Sequence, residues 1–416
     1  MSTWLVKKCK PMSGYVDQLK TRGLYSYFTE LEKTGTYITV KGKDLVNFSS
    51  NDYLGLTHDP RVLEAAKAAF DIYGSGLCGS RYVVGTTVEV IKLEEKIAAW
   101  KGQESCLVFT TGYQTLLGTV SALLVKIDDT LEENIVFAID KLSHACILDG
   151  CALAVGSHMT RGKTKMMEGQ IRYFRHNDPT SLEAIVESSA KKGKNVMIIV
   201  EGVYSMDGDI CNLPAFVEIA EKYDACVAVD DAHGTGVLGK TGKGTAEHFG
   251  LQEEIDLLMG TFSKALGGVG GFVAGQRDVI SHIKHKARSF MFSAASPVSN
   301  VTAVSKIIDI IQTEPEHLQH LRENEKYFKT ALKSEGFNYG DSATPIVPII
   351  IGDSEKTMHL SQKLMENGVL MLPMVYPAVA QGEERLRCTI SAKHTKEDLD
   401  RAMSVLVAEG KKIGVI

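Results

Sequence analysis

Gly260-Thr261-Phe262-Ser263-Lys264-Ala265-Leu266-Gly267-Gly268 sets one lysine between small hydroxyl residues and a glycine pair, directly after the apolar run 257–259. Upstream, Asp230-Asp231-Ala232-His233 closes another apolar run, 226–229. Both runs read as buried strands whose polar residues begin where the strand stops. Further short apolar runs lie at 106–109, 135–139, 196–200 and 272–274, and helix-like segments such as 88–100, 182–191 and 213–223 fall between them. Strands alternating with helices predict an α/β fold with a largely parallel sheet. The pattern changes after residue 298: a long helical stretch, 301–335, precedes strand candidates 346–351 and 385–390, with helices expected at 357–367 and 396–409. That reads as a smaller α+β domain. The expected division is an N-terminal segment 1–56 that packs across both domains, a large domain 57–298 and a small C-terminal domain 299–416.

The chain of 416 residues is longer than one ordinary core requires. Its net charge of −5 carries no electrostatic footprint for nucleic acid, and the sparse lysines and arginine at 240, 243, 284, 286 and 288 read as solvated surface. Eight scattered cysteines form no zinc-type pair and read as buried free thiols of a reducing compartment, so no metal site is expected. The lysines of residues 1–12 are not followed by the apolar core of a signal peptide, and no run approaches the ~20 apolar residues of a membrane span. A cytoplasmic location is expected, with peripheral contact to a membrane left open. The stretch 160–169 reads as a solvated basic loop.

In an open parallel sheet, ligands bind beyond the carboxyl ends of the strands. Thr110, Thr111, Gly112 and Tyr113 follow one apolar run; Asp140 to His144 follow the next; then come Glu201 with Ser205, Asp230 with His233, and Thr261 with Ser263 and Lys264. Each has a plain reading alone: a surface lysine, an aspartate capping a helix, a satisfied core histidine. Packing does not explain all of them on one edge in this order. A lysine that forms a Schiff base with pyridoxal 5'-phosphate (PLP) needs this company: hydroxyls for the phosphate, an aspartate to keep the pyridine nitrogen protonated, a histidine for the ring hydroxyl. Gly234-Thr235-Gly236-Val237-Leu238-Gly239 matches a dinucleotide pattern after a strand, but more glycines follow at 242 and 244, and no strand intervenes before Asp256. A nicotinamide site is therefore disfavoured.

From about Gly23 onward the chain resembles the α-oxoamine synthases, a family of fold-type I PLP enzymes. The resemblance is carried by Asn47-Phe48-Ser49-Ser50-Asn51-Asp52-Tyr53-Leu54-Gly55-Leu56, Gly79-Ser80-Arg81 with Gly85-Thr86, Thr111-Gly112-Tyr113 and Ser143-His144-Ala145. It extends through Glu201-Gly202-Val203-Tyr204-Ser205-Met206-Asp207-Gly208-Asp209, Asp230-Asp231-Ala232-His233-Gly234, the lysine segment and Arg385-Leu386-Arg387. It implies a large PLP-binding domain with a mostly parallel sheet and a smaller α+β C-terminal domain. Lys264 is implied as the Schiff-base lysine and the base at Cα. His144 would stack on the ring, Asp230 would pair with the ring nitrogen, His233 with the ring hydroxyl, and Ser205 would lie near the cofactor. Gly112, Tyr113, Thr261 and Ser263 would bind the phosphate. Ser293 and Ala294 resemble a segment that reaches it from a partner subunit, implying a homodimer with shared active sites. Arg387 would grip the amino-acid carboxylate, and Asn51 would line the substrate site. The implied reaction joins a small amino acid to an acyl-CoA thioester with loss of carbon dioxide.

Within the family, Gly23-Leu24-Tyr25-Ser26-Tyr27-Phe28, the stretch from Ala287 to Ala294 and the ending from Gly410 to Ile416 resemble the members that join L-serine to palmitoyl-CoA. Members that join L-alanine to a pimeloyl thioester often carry an arginine where this chain has Tyr25. Ala265-Leu266-Gly267-Gly268 instead resembles those members and the ones that acylate glycine. Some palmitoyl-transferring members have an arginine near Val375, and the usual Pro-x-x-Pro reads Pro377-Ala378-Val379-Ala380 here.

Overall fold

The computed structural model describes residues 3–130, 132, 134–159 and 170–416, the side chains of 154–159 excepted. The stretch 160–169, expected as a basic loop, lies outside the described residues. The chain divides into two compact units: Asn51–Ser205 with Asp209–Gln319, and Met1–Ser50 with Met206–Gly208 and His320–Ile416.

The first unit is built on a seven-stranded sheet. In spatial order the strands are Ser105–Phe109, Gly271–Gly275, Leu257–Thr261, Cys226–Asp230, Asn195–Glu201, Ile135–Asp140 and Ile171–Phe174. Gly271–Gly275 pairs antiparallel with both neighbours, and the other six strands run the same way. Alternate side chains enter two separate cores. Leu107, Phe137, Ile139, Ile199, Ala228, Leu257 and Met259 pack on one face. Val136, Ala138, Ile198, Val200, Val227, Val229 and Leu258 pack on the other. Burial on both faces is why these strands read as unbroken apolar runs rather than alternating ones. The carboxyl ends of the parallel strands share one edge, which gathers Thr110, Asp140, Glu201, Asp230 and Thr261 with the residues that follow them.

The glycine loop after Cys226–Asp230 has its own physical cause. Lys101, 2% exposed, ends the helix Val88–Lys101 and donates from Nζ to Asp231 Oδ2 at 3.2 Å, Thr235 Oγ1 at 2.8 Å and the Lys243 carbonyl at 2.5 Å. Asp231 also accepts from the Thr245 amide at 3.0 Å, the Thr245 hydroxyl at 2.7 Å and the Thr235 hydroxyl at 2.9 Å. The chain wraps closely around this carboxylate: a Cβ on Gly244 would lie 1.7 Å from Asp231 Oδ2, and one on Gly234 would lie 2.1 Å from Oδ1. Residues 234–244 form successive turns, and the first helix after Asp231 is Thr245–Phe249. The glycines thus fold around a buried ion pair, and no helix opens among them as a dinucleotide loop requires.

In the second unit, Ile346–Ile350, Arg385–Thr389 and Leu372–Met374 form one antiparallel sheet. Tyr37–Val40, Lys43–Asn47 and Val369–Leu370 form a second, mixed sheet, in which Lys43–Asn47 pairs antiparallel with Tyr37–Val40 and parallel with Val369–Leu370. The helix Lys396–Lys412 starts at a capping box between Thr395 and Asp398. An N-terminal helix spans Thr3–Thr21.

Two expectations are corrected. The single helical stretch 301–335 is two helices, Val298–Thr313 and Glu316–Ser334. Pro315 lacks the amide that a continuous helix needs and disfavours helical backbone at Glu314, whose φ/ψ of −127/77 is non-helical. The cysteines are all free, but Cys9, Cys78 and Cys226 are exposed rather than buried. Among the described residues, no helix is long and apolar enough to cross a membrane.

Lys101→Ala leaves Asp231 charged, buried and without its cation. The expected loss is about 3–5 kcal/mol of stability, read as a lower midpoint in equilibrium denaturation. A change near zero would mean the pair is dispensable.

Candidate active site

The helix Gly112–Leu123 begins where Ser105–Phe109 ends, with Thr111 as its cap: Thr111 Oγ1 accepts from the Gln114 amide at 3.1 Å. Its first turn meets the end of Leu257–Thr261. A Cβ on Gly112 would lie 2.6 Å from Thr261 Oγ1 and 2.8 Å from Thr261 Cβ, so only glycine permits this approach. Thr261 Oγ1 donates to the Gly270 carbonyl at 3.0 Å and lies 2.9 Å from Ser263 Oγ. The result is a cradle of two hydroxyls beside a helix N-terminus, where free amides and the helix dipole favour an anion such as phosphate. Tyr113 is largely exposed; its hydroxyl bonds Asp149 and its ring stands edge-on to His144, 6.5 Å between centroids.

Asp230 ends its strand 4% exposed, with the Ala232 amide donating to Oδ1 at 3.1 Å. Burial pushes its carboxyl up to about 7, while the Ala232 amide and the charge of Lys264 hold it back. On the neighbouring strand, Glu201 is its register partner. Burial and the adjacent Asp230 push the Glu201 carboxyl well above the usual range. His233 is buried, and its Nδ1 lies 2.7 Å from the hydroxyl of the fully buried Tyr53. The Tyr53 hydroxyl is also 3.5 Å from Asn51 Oδ1. The Nδ1 edge of the His233 ring is thereby engaged by Tyr53.

His144 accepts at Nδ1 from the Cys146 amide at 3.2 Å, with Cys146 Sγ 2.7 Å away. Burial, then the charge of Lys264, lowers its pKa, so the imidazole is neutral with its proton on Nε2. Lys264 is half-buried, three residues past the end of its strand. Its charge acts on both His144 and Asp230, so the lysine, the stacking candidate and the buried aspartate converge on one place. Ser205 contributes its backbone amide to Glu201. Ser293 and Ala294 line a cavity of about 20 Å³ with Arg81 and Phe290, and Ser293 Oγ accepts from Gln114 Nε2 at 3.0 Å within the same chain.

In the other unit, Arg387 is 6% exposed on the strand Arg385–Thr389 and donates from Nη1 to Thr389 Oγ1 at 3.1 Å. Tyr25 and Val375 pack on a cluster of Leu19, Leu24 and Met358, and Lys20 Nζ lies 5.3 Å from the Tyr25 ring centroid.

Sequence reasoning gave no roles to Tyr53, Cys146 and Glu201. Tyr53 lay inside a quoted matching stretch, and Glu201 stood at a strand end. Nothing in the sequence pointed to Cys146. The residues fit PLP on two observations: the cradle at Gly112, which a Cβ would fill, and a buried aspartate with a raised carboxyl, which a cation such as a protonated pyridine nitrogen would stabilise in its ionised form.

The family model for aminotransferase class I and II matches residues 43–406. The chain is 41% identical over 393 residues to the serine palmitoyltransferase of Sphingobacterium spiritivorum, covering 94% of this chain and 93% of that one. It is 40% identical over 412 residues to 8-amino-7-oxononanoate synthase 1 of Bacillus velezensis, covering 99% and 100%. A solved structure of SPT with PLP as internal aldimine superposes with a TM-score of 0.89 at 31% identity, covering 99% of this chain and 100% of that one.

The raised carboxyl of Asp230 has a stability consequence. In the cofactor-free protein its folded pKa, about 7, lies above the ordinary 3.8, so its contribution is intact below about pH 4 and is lost as pH rises towards 7. Cofactor-free Asp230→Asn is therefore expected to exceed wild type in stability by about 1–4 kcal/mol above pH 7, with a smaller gain at pH 5. Denaturant titrations at pH 5 and pH 8 measure this, and an equal gain at both would refute it.

Proposed function

Because the chain belongs to the class I and II aminotransferase family, and within it to the PLP-dependent α-oxoamine synthases, we propose that it condenses L-serine with palmitoyl-CoA. The products are 3-ketodihydrosphingosine, CoA and carbon dioxide, a step of sphingolipid synthesis. The two named relatives are almost equally similar, so the choice rests on the surroundings of Tyr25 and Val375. Both pack on the apolar cluster Leu19, Leu24 and Met358. The end of a saturated chain gains from apolar contact, whereas a carboxylate end needs a cation or donors.

When bound, PLP supplies an electron sink for a carbanion at the amino-acid Cα. The protein's part is to bind, orient and move protons. The Gly112 turn, Tyr113, Thr261 and Ser263 hold the phosphate. Asp230 would keep the pyridine nitrogen protonated, His233 would bond the ring hydroxyl, and neutral His144 would stack on the ring with Ser205 nearby. Lys264 takes the proton from Cα. Arg387 holds the carboxylate that departs as carbon dioxide, its guanidinium matching the two oxygens. Asn51 and Tyr25 line the substrate site. The working form is a cytoplasmic homodimer in which Ser293 and Ala294 reach the phosphate of the other chain.

Lys20 beside Tyr25 favours a second reading, L-alanine with a pimeloyl thioester, because its ammonium would meet a terminal carboxylate.

Purified, PLP-loaded protein is expected to release CoA thiol from L-serine plus palmitoyl-CoA but not from L-alanine plus pimeloyl-CoA. The reverse result assigns the second reading. Lys264→Ala should abolish both the visible PLP band after dialysis against an amine and the turnover. Tyr25→Arg is expected to lower kcat/KM for palmitoyl-CoA about tenfold or more, with the PLP band unchanged.

A further inference from the structure

Glu201 is a buried acid beside Asp230 for which the reaction above has no use. It is 3% exposed, ends the strand Asn195–Glu201 and faces Asp230 in register. Its carboxyl accepts from the backbone amides of His144 and Ser205, which begin two different connections beyond the sheet edge. Its Oε1 has no hydrogen-bond partner among the described residues. We propose that Glu201 is a positioning residue of the PLP site, tying the main chain at His144 and at Ser205 to the strand edge that carries Asp230. The proposal rests on the reading of His144, Ser205 and Asp230 as cofactor contacts.

The geometry also dictates the form in which Glu201 works. Two carboxylates side by side on adjacent buried strands cannot both stay ionised cheaply, and Asp140 adds negative charge nearby. Asp230 has Lys264 to hold its charge, whereas no cation pairs with Glu201 among the described ion pairs. Glu201 therefore carries the proton. Asp230 is left as the negative charge for the pyridine nitrogen, and one Glu201 oxygen remains an acceptor for the two amides. An acid used in this way is replaced well by its amide: glutamine keeps the length, the acceptor oxygen and the neutrality. Aspartate draws the acceptor back by one methylene, and alanine removes it.

The test compares Glu201→Gln, Glu201→Ala and Lys264→Ala with wild type in PLP titration, visible circular dichroism of bound PLP, and infrared spectra of the cofactor-free protein. Glu201→Gln is expected to bind PLP within about threefold of wild type, with the same dichroism and the same pH dependence of the band. Glu201→Ala is expected to bind about tenfold or more weakly with reduced dichroism, because the backbones of His144 and Ser205 lose their tie. At pH 8.5, where Asp230 is ionised, the infrared difference between wild type and Glu201→Gln should show the carbonyl stretch of a protonated carboxylic acid in wild type only. Should Glu201→Ala fail to fold, the Gln variant decides alone. A band whose pH dependence moves to lower pH in Glu201→Gln means that an ionised Glu201 was removed, and overturns the proposal. Wild-type binding and dichroism in Glu201→Ala overturn it as well. If Lys264→Ala keeps the lysine-linked band, the reading of the site itself has failed, a result distinct from either of these.

Discussion

Two adjacent aspartates with opposite surroundings organise this molecule. Asp231 is saturated by Lys101, Thr235 and Thr245, and the chain from residue 234 to 245 is drawn tightly around it. Asp230, one residue earlier, receives one backbone amide and the field of Lys264. A carboxylate buried with so few hydrogen bonds is unfavourable and persists only where the surrounding structure enforces it. The Asp231–Lys101 pair supplies that enforcement: it pins the chain immediately after Asp230 and immediately before His233. The stability of one aspartate thus maintains the reactivity of the other.

Much of the site was legible because a parallel sheet buried on both faces writes itself as short apolar runs, and its polar residues stand out at the ends. Lys264, Asp230, His233, Thr261 and Gly112 were singled out as candidates in that way. Lys101 was not, because a lysine after an amphipathic helix reads as surface and only the fold shows that it points inward. The helix Gly112–Leu123 was also missed. Half of its twelve residues are small, and its Gly118 faces the Ser289 hydroxyl, where a Cβ would lie 2.3 Å away. Such packing leaves no periodic signature. The four-residue strand Ile171–Phe174 and the two-residue strand Val369–Leu370 are too short to show a period at all. Tyr53, Cys146 and Glu201 touch His233, His144 and the main chain at His144 and Ser205, and the sequence placed Tyr53 in a matching stretch and Glu201 at a strand end without showing these contacts.

The near-equal similarity to a palmitoyltransferase and an oxononanoate synthase has a physical basis. The shared reaction fixes the residues that meet the ring, the phosphate and the amino acid. The acyl chain is told apart by a few side chains at its far end, where an arginine, a lysine or a tyrosine differ by several kcal/mol towards a carboxylate but contribute little to overall identity. Under the proposed reading Tyr25, Lys20 and Val375 are the side chains to compare, since Tyr25 and Val375 share one apolar cluster and Lys20 lies over the Tyr25 ring.

The raised acid at Asp230 also makes the durability of the cofactor-free chain depend on what reaches this carboxyl. Ionising it towards neutral pH costs folding free energy, and a bound cation that paired with it would offset that cost while stabilising the folded state by mass action. A chain without such a partner opens more often, and opened chains are the ones that proteases cleave.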